Sequence, residues 1–288
     1  TDALDAVNAS MSNYLESSEI SRFNAAQPGV ALPLSDNFAR VLEAALDVGQ
    51  RSDGAYDVTV SPLVRLWGFG PAGPVLAPPT SVDIARARET VGQALLSYDA
   101  ASRALAKTAP VELDFSSLAK GYAVDLVAAE LTAMGIRNFL VEVGGEMKLA
   151  GVSGRGDRWR VAIEAPQSGG RTAAAAITLT DRAIATSGDY RNYFEVDGQR
   201  YSHSIDPRTG YPVTHDLVSV TVVHDSAMFA DAWATALTVL GGEVAMQLAQ
   251  AEQLAVYFIR RIGEDFVHSH SAAFAPYLNE AGEPTEDL

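Results

Sequence analysis

No cysteine occurs in the 288 residues, which excludes disulfides, thiolate metal ligands and a thiol nucleophile, and suits an oxidising compartment. Long apolar runs are missing too, none long enough for a helical membrane span. Basic residues are scarce: 21 Lys and Arg stand against 36 Asp and Glu, a formal net charge of −15 with a pI near 4.7. That deficit argues against a nucleic acid partner held over a broad face. A small anion stays open, because a local lysine, a helix N-terminus or a metal can override the global field. The chain starts at Thr1 without an initiator methionine, a basic n-region or an apolar h-region, so it reads as a processed or trimmed product. Internal repeats and low-complexity segments are absent.

What is present is a 48% hydrophobic composition, enough for one large or two-lobed domain with a real core. Residues 3–24 begin as a helix and pass into a polar loop around Ser17-Ser18-Glu19. A second helix follows Ser35 as N-cap, and SVDIARARETVG at 81–92 makes another. Between them PAGPVLAPPTS, 71–81, is a Pro/Gly-rich surface connector. Residues 111–151 read strand, helix, Gly135 as C-cap, then a strand broken by Gly144-Gly145. Strands dominate from Trp159 to Val223, a long helix follows, and LAVYFIRR supplies a last strand. The acidic tail, 279–288, is expected to fray. The pattern is mixed α/β without regular βαβ alternation, an α+β architecture.

Four constellations could carry chemistry. The helix after Ser226 is apolar nearly all round, and its polar residues Asp231, Thr235 and Thr238 share one face. A carboxylate buried there needs a partner. Its oxygen and the threonine's suit magnesium or calcium, and a structural aspartate bonded to backbone amides is the alternative. In LDFSSLAKGYA, Ser116 or Ser117 can cap a helix whose first turn holds Lys120, against the helix dipole. Asp114 or a bound phosphate would offset that, and so would an ordinary surface ion pair. GAYDVTVSPLVRLWGFGP, 54–71, sets Tyr56, Asp57, Trp67 and Phe69 among glycines, as a flat ring ligand or a packed aromatic core would require. RYSHSIDPRTGYP, 200–212, places His203 where a strand runs into a turn marked by Asp206-Pro207. A rival pattern is S-x-x-K at Ser117 and Lys120, with Ser187-Gly188-Asp189 and Arg208-Thr209-Gly210 downstream, a degenerate version of the serine acyl-enzyme motifs.

Taken in order, MSNYLESSEISRFN, GAYDVTVSPLVRLWGFGP, LDFSSLAKGYAVDLVAAELTAMGIRNFLVEVGGEMKLAG, ATSGDYRNYFEVDGQRYSHSIDPRTGYPV and DAWATAL resemble the FAD:protein FMN transferases of the ApbE family. The resemblance implies one family domain over 1–288, folded as two lobes with mixed sheets flanked by helices and the flavin and metal site between them. It implies transfer of FMN from FAD to a threonine hydroxyl of an acceptor protein, with release of AMP and a requirement for Mg2+. On the matching positions, the metal falls to Asp231, Thr235 and a backbone oxygen at Ser117. The flavin nucleotide would touch Tyr14, Ala55, Tyr56, Asp57, Asp114, Lys120 and Ile205. His203 would be the base that activates the threonine, with Asp206 orienting it or capping the turn. The resemblance further implies a periplasmic, lipid-anchored setting with the anchor upstream of Thr1, beyond an opening Met-Gly-Thr strand that this chain starts after. Acceptors would be subunits of a sodium-pumping NADH:quinone reductase or an Rnf-type complex. A non-catalytic FAD carrier and an FAD pyrophosphatase are the competing functions.

Overall fold

The computed structural model describes residues 2–70, 73, 75, 77–166, 172–188, 193–196 and 199–278. The tail at 279–288, Asp189, and Pro71, Ala72, Pro74 and Leu76 of the connector lie outside the described residues. In chain order the elements are α1 (Asp2–Met11), α2 (Glu19–Ala25), β1 (Leu32–Pro33), α3 (Asp36–Arg51), α4 (Ser61–Leu66), α5 (Ser81–Arg88), β2 (Leu96–Asp99) and β3 (Ala104–Lys107). There follow α6 (Ala119–Ala133), β4 (Phe139–Val143), β5 (Glu146–Ala150), β6 (Trp159–Glu164), β7 (Ala173–Leu179), β8 (Arg182–Gly188), β9 (Tyr193–Val196), β10 (Gln199–Ser202), β11 (Ile205–Asp206) and β12 (Tyr211–Pro212). The last run is β13 (Leu217–His224), α7 (Ala227–Leu240), α8 (Gly242–Ala251), β14 (Ala255–Ile262), β15 (Asp265–His270) and a 3-10 turn at Ala272–Tyr277. The chain divides into two units, one of residues 1–119 and 192–214 and the other of 120–191 and 215–288.

The first unit is built on capped helices. Ser18 accepts from the Ser21 amide at the head of α2, and Ser35 accepts from Phe38 at the head of α3. The α3 stripe of Phe38, Val41, Leu42, Ala45 and Val48 is buried, as its helical spacing requires. The strands β1, β3 and β2 form an antiparallel sheet. Lys107 on β3 is 2% exposed, and its ammonium donates to the carbonyls of Phe23, Asn24 and Val111 at 2.9–3.0 Å. Burial holds this lysine below its usual range. Trp67 donates its indole N–H to the Gly210 carbonyl at 2.8 Å and stacks on Tyr201 at 5.5 Å, while Phe69 meets Phe194 at 5.2 Å. These rings of the 54–71 run are thus committed to aromatic packing.

The second unit holds a six-stranded antiparallel sheet in the order β15-β14-β13-β8-β5-β4. Neighbouring residues of β8 point to opposite faces: Ala183 joins Val124, Ala128, Phe139 and Val141, and Ile184 joins Leu149, Ile163, Ile177, Ile259 and Phe274. Helices α6 and α7 cover the first face and the β6–β7 hairpin covers the second. Eleven of the fourteen α7 residues are buried, many of them alanine, whose small side chains let the helix lie close on β8 and β13. Asp125 of α6 grips the head of α7, accepting from the amides of Ala227 and Met228 at 3.0 and 3.1 Å and from the Ser226 hydroxyl. Gly121 marks the crossing of the two helices, where a Cβ would lie 2.3 Å from the Ala227 carbonyl oxygen.

Several expectations change here. Residues 111–115 form no strand: the Leu113 backbone is paired with the Asn24 side chain, and the Asp114 amide donates to the Val58 carbonyl at 2.7 Å. Gly144-Gly145 does not break one strand but turns between two, with Val143 opposite Glu146. LAVYFIRR is not the last strand, since β15 pairs along β14. In place of mixed sheets, every strand pair among the described residues is antiparallel.

Candidate functional site

The second unit brings three titratable groups, Lys120, Glu146 and Asp231, together at one place. Asp231, on the second turn of α7, is 6% exposed, and its Oδ2 lies 3.3 Å from the Lys120 Nζ. The Gly121 amide also donates to it. Lys120 reaches Asp231 because α6 crosses α7 at Gly121, one residue on. The same ammonium stands 3.4 Å from Oε1 of Glu146, which opens β5 directly after the glycine turn and is 4% exposed. Glu146 Oε2 is buried without a hydrogen-bond partner.

The electrostatics follow from two buried carboxylates sharing a lysine. Burial raises the Asp231 carboxyl, and Lys120 only partly offsets that. Burial, and then the charge of Asp231, push Glu146 up to about 7. Burial disfavours the Lys120 ammonium, yet Asp231 and Glu146 together outweigh it and hold the lysine above its usual range. Thr235 sits one turn beyond Asp231 on the same face and is half-buried. Among the described residues its hydroxyl makes no hydrogen bond, whereas Thr238 spends its own on the Ala234 carbonyl at 2.8 Å.

Such a face fits a hard divalent cation. It offers a carboxylate whose charge Lys120 does not fully satisfy and a hydroxyl left uncommitted one turn away. Among the described residues no group of three or more His, Cys, Asp or Glu could hold a metal. An ion bound here therefore depends on ligand oxygens and water as well, the habit of magnesium beside phosphates.

The remaining candidates belong to the first unit. The Tyr56 hydroxyl pairs with the Ser117 hydroxyl at 2.9 Å, and Ala55 and Tyr56 are both 2% exposed. Asp57 is turned inward: one oxygen accepts from the amide and hydroxyl of Thr59, the other from the Gln93 amide. Burial raises its carboxyl despite those bonds. Asp114 accepts from the amide and hydroxyl of Ser116. Tyr14 is 89% exposed on the loop after α1, and Ile205 is buried against Leu63, Trp67 and Ile84. His203 follows β10 and meets Phe69 edge-on at 6.2 Å. Asp206 caps the turn, accepting from the Arg208 amide and guanidinium.

The serine acyl-enzyme pattern loses its support. Arg208, Thr209 and Gly210 form the turn between β11 and β12, where that motif needs a core strand, and the Ser117 hydroxyl is engaged by Tyr56. Sequence patterning does not single out two residues of the second unit, Glu146 and Asp125. A glutamate directly after a glycine pair is the available signal for Glu146. Asp125 has none, since its spacing matches that of any acidic residue on a helix.

Comparisons with known proteins cover most of the chain. A model of the ApbE family matches residues 1–258. An FAD:protein FMN transferase of Vibrio cholerae serotype O1 is 43% identical over 278 residues, 96% of this chain and 83% of the relative. That of Escherichia coli K12 is 40% identical over 278 residues, 96% of this chain and 79% of the relative. Among solved structures, the apo flavinyl transferase ApbE of Pseudomonas stutzeri has a TM-score of 0.88 at 41% identity, covering 99% of this chain and 87% of its own. The ApbE protein of Thermotoga maritima has a TM-score of 0.85 at 28% identity, covering 97% of this chain and 89% of its own.

Proposed function

The chain belongs to the ApbE family and is a flavin transferase that passes FMN from FAD to protein, and from that premise we propose how the transfer proceeds. The finer reading is a Mg2+-dependent transfer to a threonine hydroxyl, with AMP as the leaving group. One observation carries it: the buried Asp231 carboxylate, only partly satisfied by Lys120, with the uncommitted Thr235 hydroxyl one turn away.

In this reading Asp231 and Thr235 would hold the ion, with a backbone oxygen at Ser117 added by family resemblance. An ion held by those residues would supply charge neutralisation at the diphosphate. Lys120 steadies phosphate oxygens through its ammonium. The acceptor threonine attacks the FMN-side phosphorus, the bond to the AMP oxygen breaks, and the threonine proton passes to His203. No covalent intermediate on the protein is needed, because phosphoryl transfer asks chiefly for positioning and charge stabilisation. Tyr14, Ala55, Tyr56, Asp114 and Ile205 are the residues that the reading assigns to the nucleotide. Asp57 is assigned there too, through its backbone, since its carboxylate already serves Thr59 and Gln93. Asp206 keeps the turn after His203 in shape.

The reading also carries a periplasmic setting with a lipid anchor, and as acceptor a subunit of a sodium-pumping NADH:quinone reductase or an Rnf-type complex. Among the described residues no helix is long and apolar enough to cross a membrane. Incubation with FAD, Mg2+ and a threonine-bearing acceptor is the test, read by mass. A covalent FMN adduct with stoichiometric AMP is expected. FMN and AMP without an adduct would show a pyrophosphatase, and intact FAD a carrier. Asp231→Asn should abolish metal-dependent turnover. His203→Asn should abolish transfer while FAD still binds, and loss of FAD binding would remove it from the base role.

A further inference from the structure

Glu146 has no place in the scheme above, yet it is set with unusual care. A carboxylate that is 4% exposed normally needs full pairing, because its desolvation is costly. Here Oε1 faces Lys120 at 3.4 Å and Oε2 is buried with no hydrogen-bond partner. The turn before it is shaped around the lysine. Gly144 has φ +64°, and a Cβ there would stand 2.9 Å from Lys120 Cδ and 3.5 Å from Glu146 Oε2. A side chain at 144 would close the space between the lysine stem and the open carboxylate oxygen.

One ammonium therefore lies between two carboxylates, Asp231 at 3.3 Å and Glu146 at 3.4 Å. If Asp231 ligates a divalent ion, as the proposed function holds, the Lys120 ion pair and the metal compete for the same carboxylate. We infer that Glu146 is a positioning residue, the second anchor to which Lys120 retires when Asp231 turns to the metal. The open Oε2 is the acceptor that receives it: an ammonium has three donors and can serve both oxygens of one carboxylate. Lys120 then stays charged and at hand for phosphate. Without Glu146, the lysine would hold Asp231 against the ion.

This inference rests on the metal reading, and a binding measurement separates the two. Free Mn2+ is titrated by electron paramagnetic resonance in the presence of saturating FAD and no acceptor, for the wild type, Glu146→Gln, Lys120→Met and the double variant. Glu146→Gln should raise the Mn2+ concentration for half-occupancy about tenfold, a coupling of ordinary size between linked sites. In the Lys120→Met background the same substitution should shift it by about twofold or less. Equal shifts in both backgrounds would make Glu146 a ligand or a remote charge, and no shift in either would leave it without this role; both results overturn the inference. Glu146→Asp, which keeps the charge but withdraws it by one methylene, should fall between wild type and Glu146→Gln, and supplies the comparison if the glutamine variant folds poorly. Absence of Mn2+ binding by the wild type, or equal binding by Asp231→Asn, would sink the metal reading instead.

Discussion

Replacing Glu146 by glutamine should change how stability responds to pH, with a sign and size that follow from its burial. The glutamate is raised from 4.5 to about 7 by burial and then by the charge of Asp231. The folded protein thus binds this proton more tightly than the unfolded chain does. Between about pH 4.5 and pH 7 the native state holds the extra proton, so stability falls as pH rises through that window. Below the window the group costs nothing, and above it the full cost of a buried charge is present. The span corresponds to about 3 kcal/mol. Glutamine has the shape of the neutral acid and carries no such dependence. Urea unfolding in EDTA, followed by tryptophan fluorescence, reads the effect, since Trp159 and Trp233 both lie in the unit that holds Glu146. From pH 5 to pH 8 the wild type should lose about 2–3 kcal/mol relative to Glu146→Gln. Parallel pH profiles would refute the claim that burial leaves this carboxylate short of compensation.

Three further outcomes follow from packing in the two units. Gly121→Ala should destabilise by roughly 3 kcal/mol or more, because its methyl group would meet the Ala227 carbonyl at 2.3 Å and force α6 from α7; a thermal melt near that of the wild type would contradict the close crossing. Asp125→Ala should cost about 2–4 kcal/mol through the amides and hydroxyl it leaves unmatched at the head of α7, and amide exchange at Ala227 and Met228 should rise first. Lys107→Met should cost about 3 kcal/mol or more, as three carbonyls lose one buried donor; a neutral substitution would mean that water replaces the ammonium.

Local chemistry made much of this protein legible before folding was considered. Ser35 announced the helix it caps, since a hydroxyl ahead of an apolar stripe satisfies free amides within three residues, whereas Ser18, which reads as part of a polar loop, caps α2 in the structure. Asp231 stood out because one acid on an otherwise greasy helix demands a partner wherever the helix lies. The motif order from Met11 to Leu237 carried the family. What periodicity could not supply were contacts between residues far apart in the chain. Val111–Phe115 has the composition of a strand, but its backbone is met by Asn24, 89 residues from Leu113, and by Val58, and it forms no strand. Trp67 could have stacked on a ligand until Gly210 and Tyr201 claimed it. Glu146, taken by its sequence, is an ordinary acid on a strand. Only the crossing of α6 over α7 brings Lys120 between it and Asp231, because a buried carboxylate's meaning lies in its spatial neighbours, and those are set by the packing of helix on sheet.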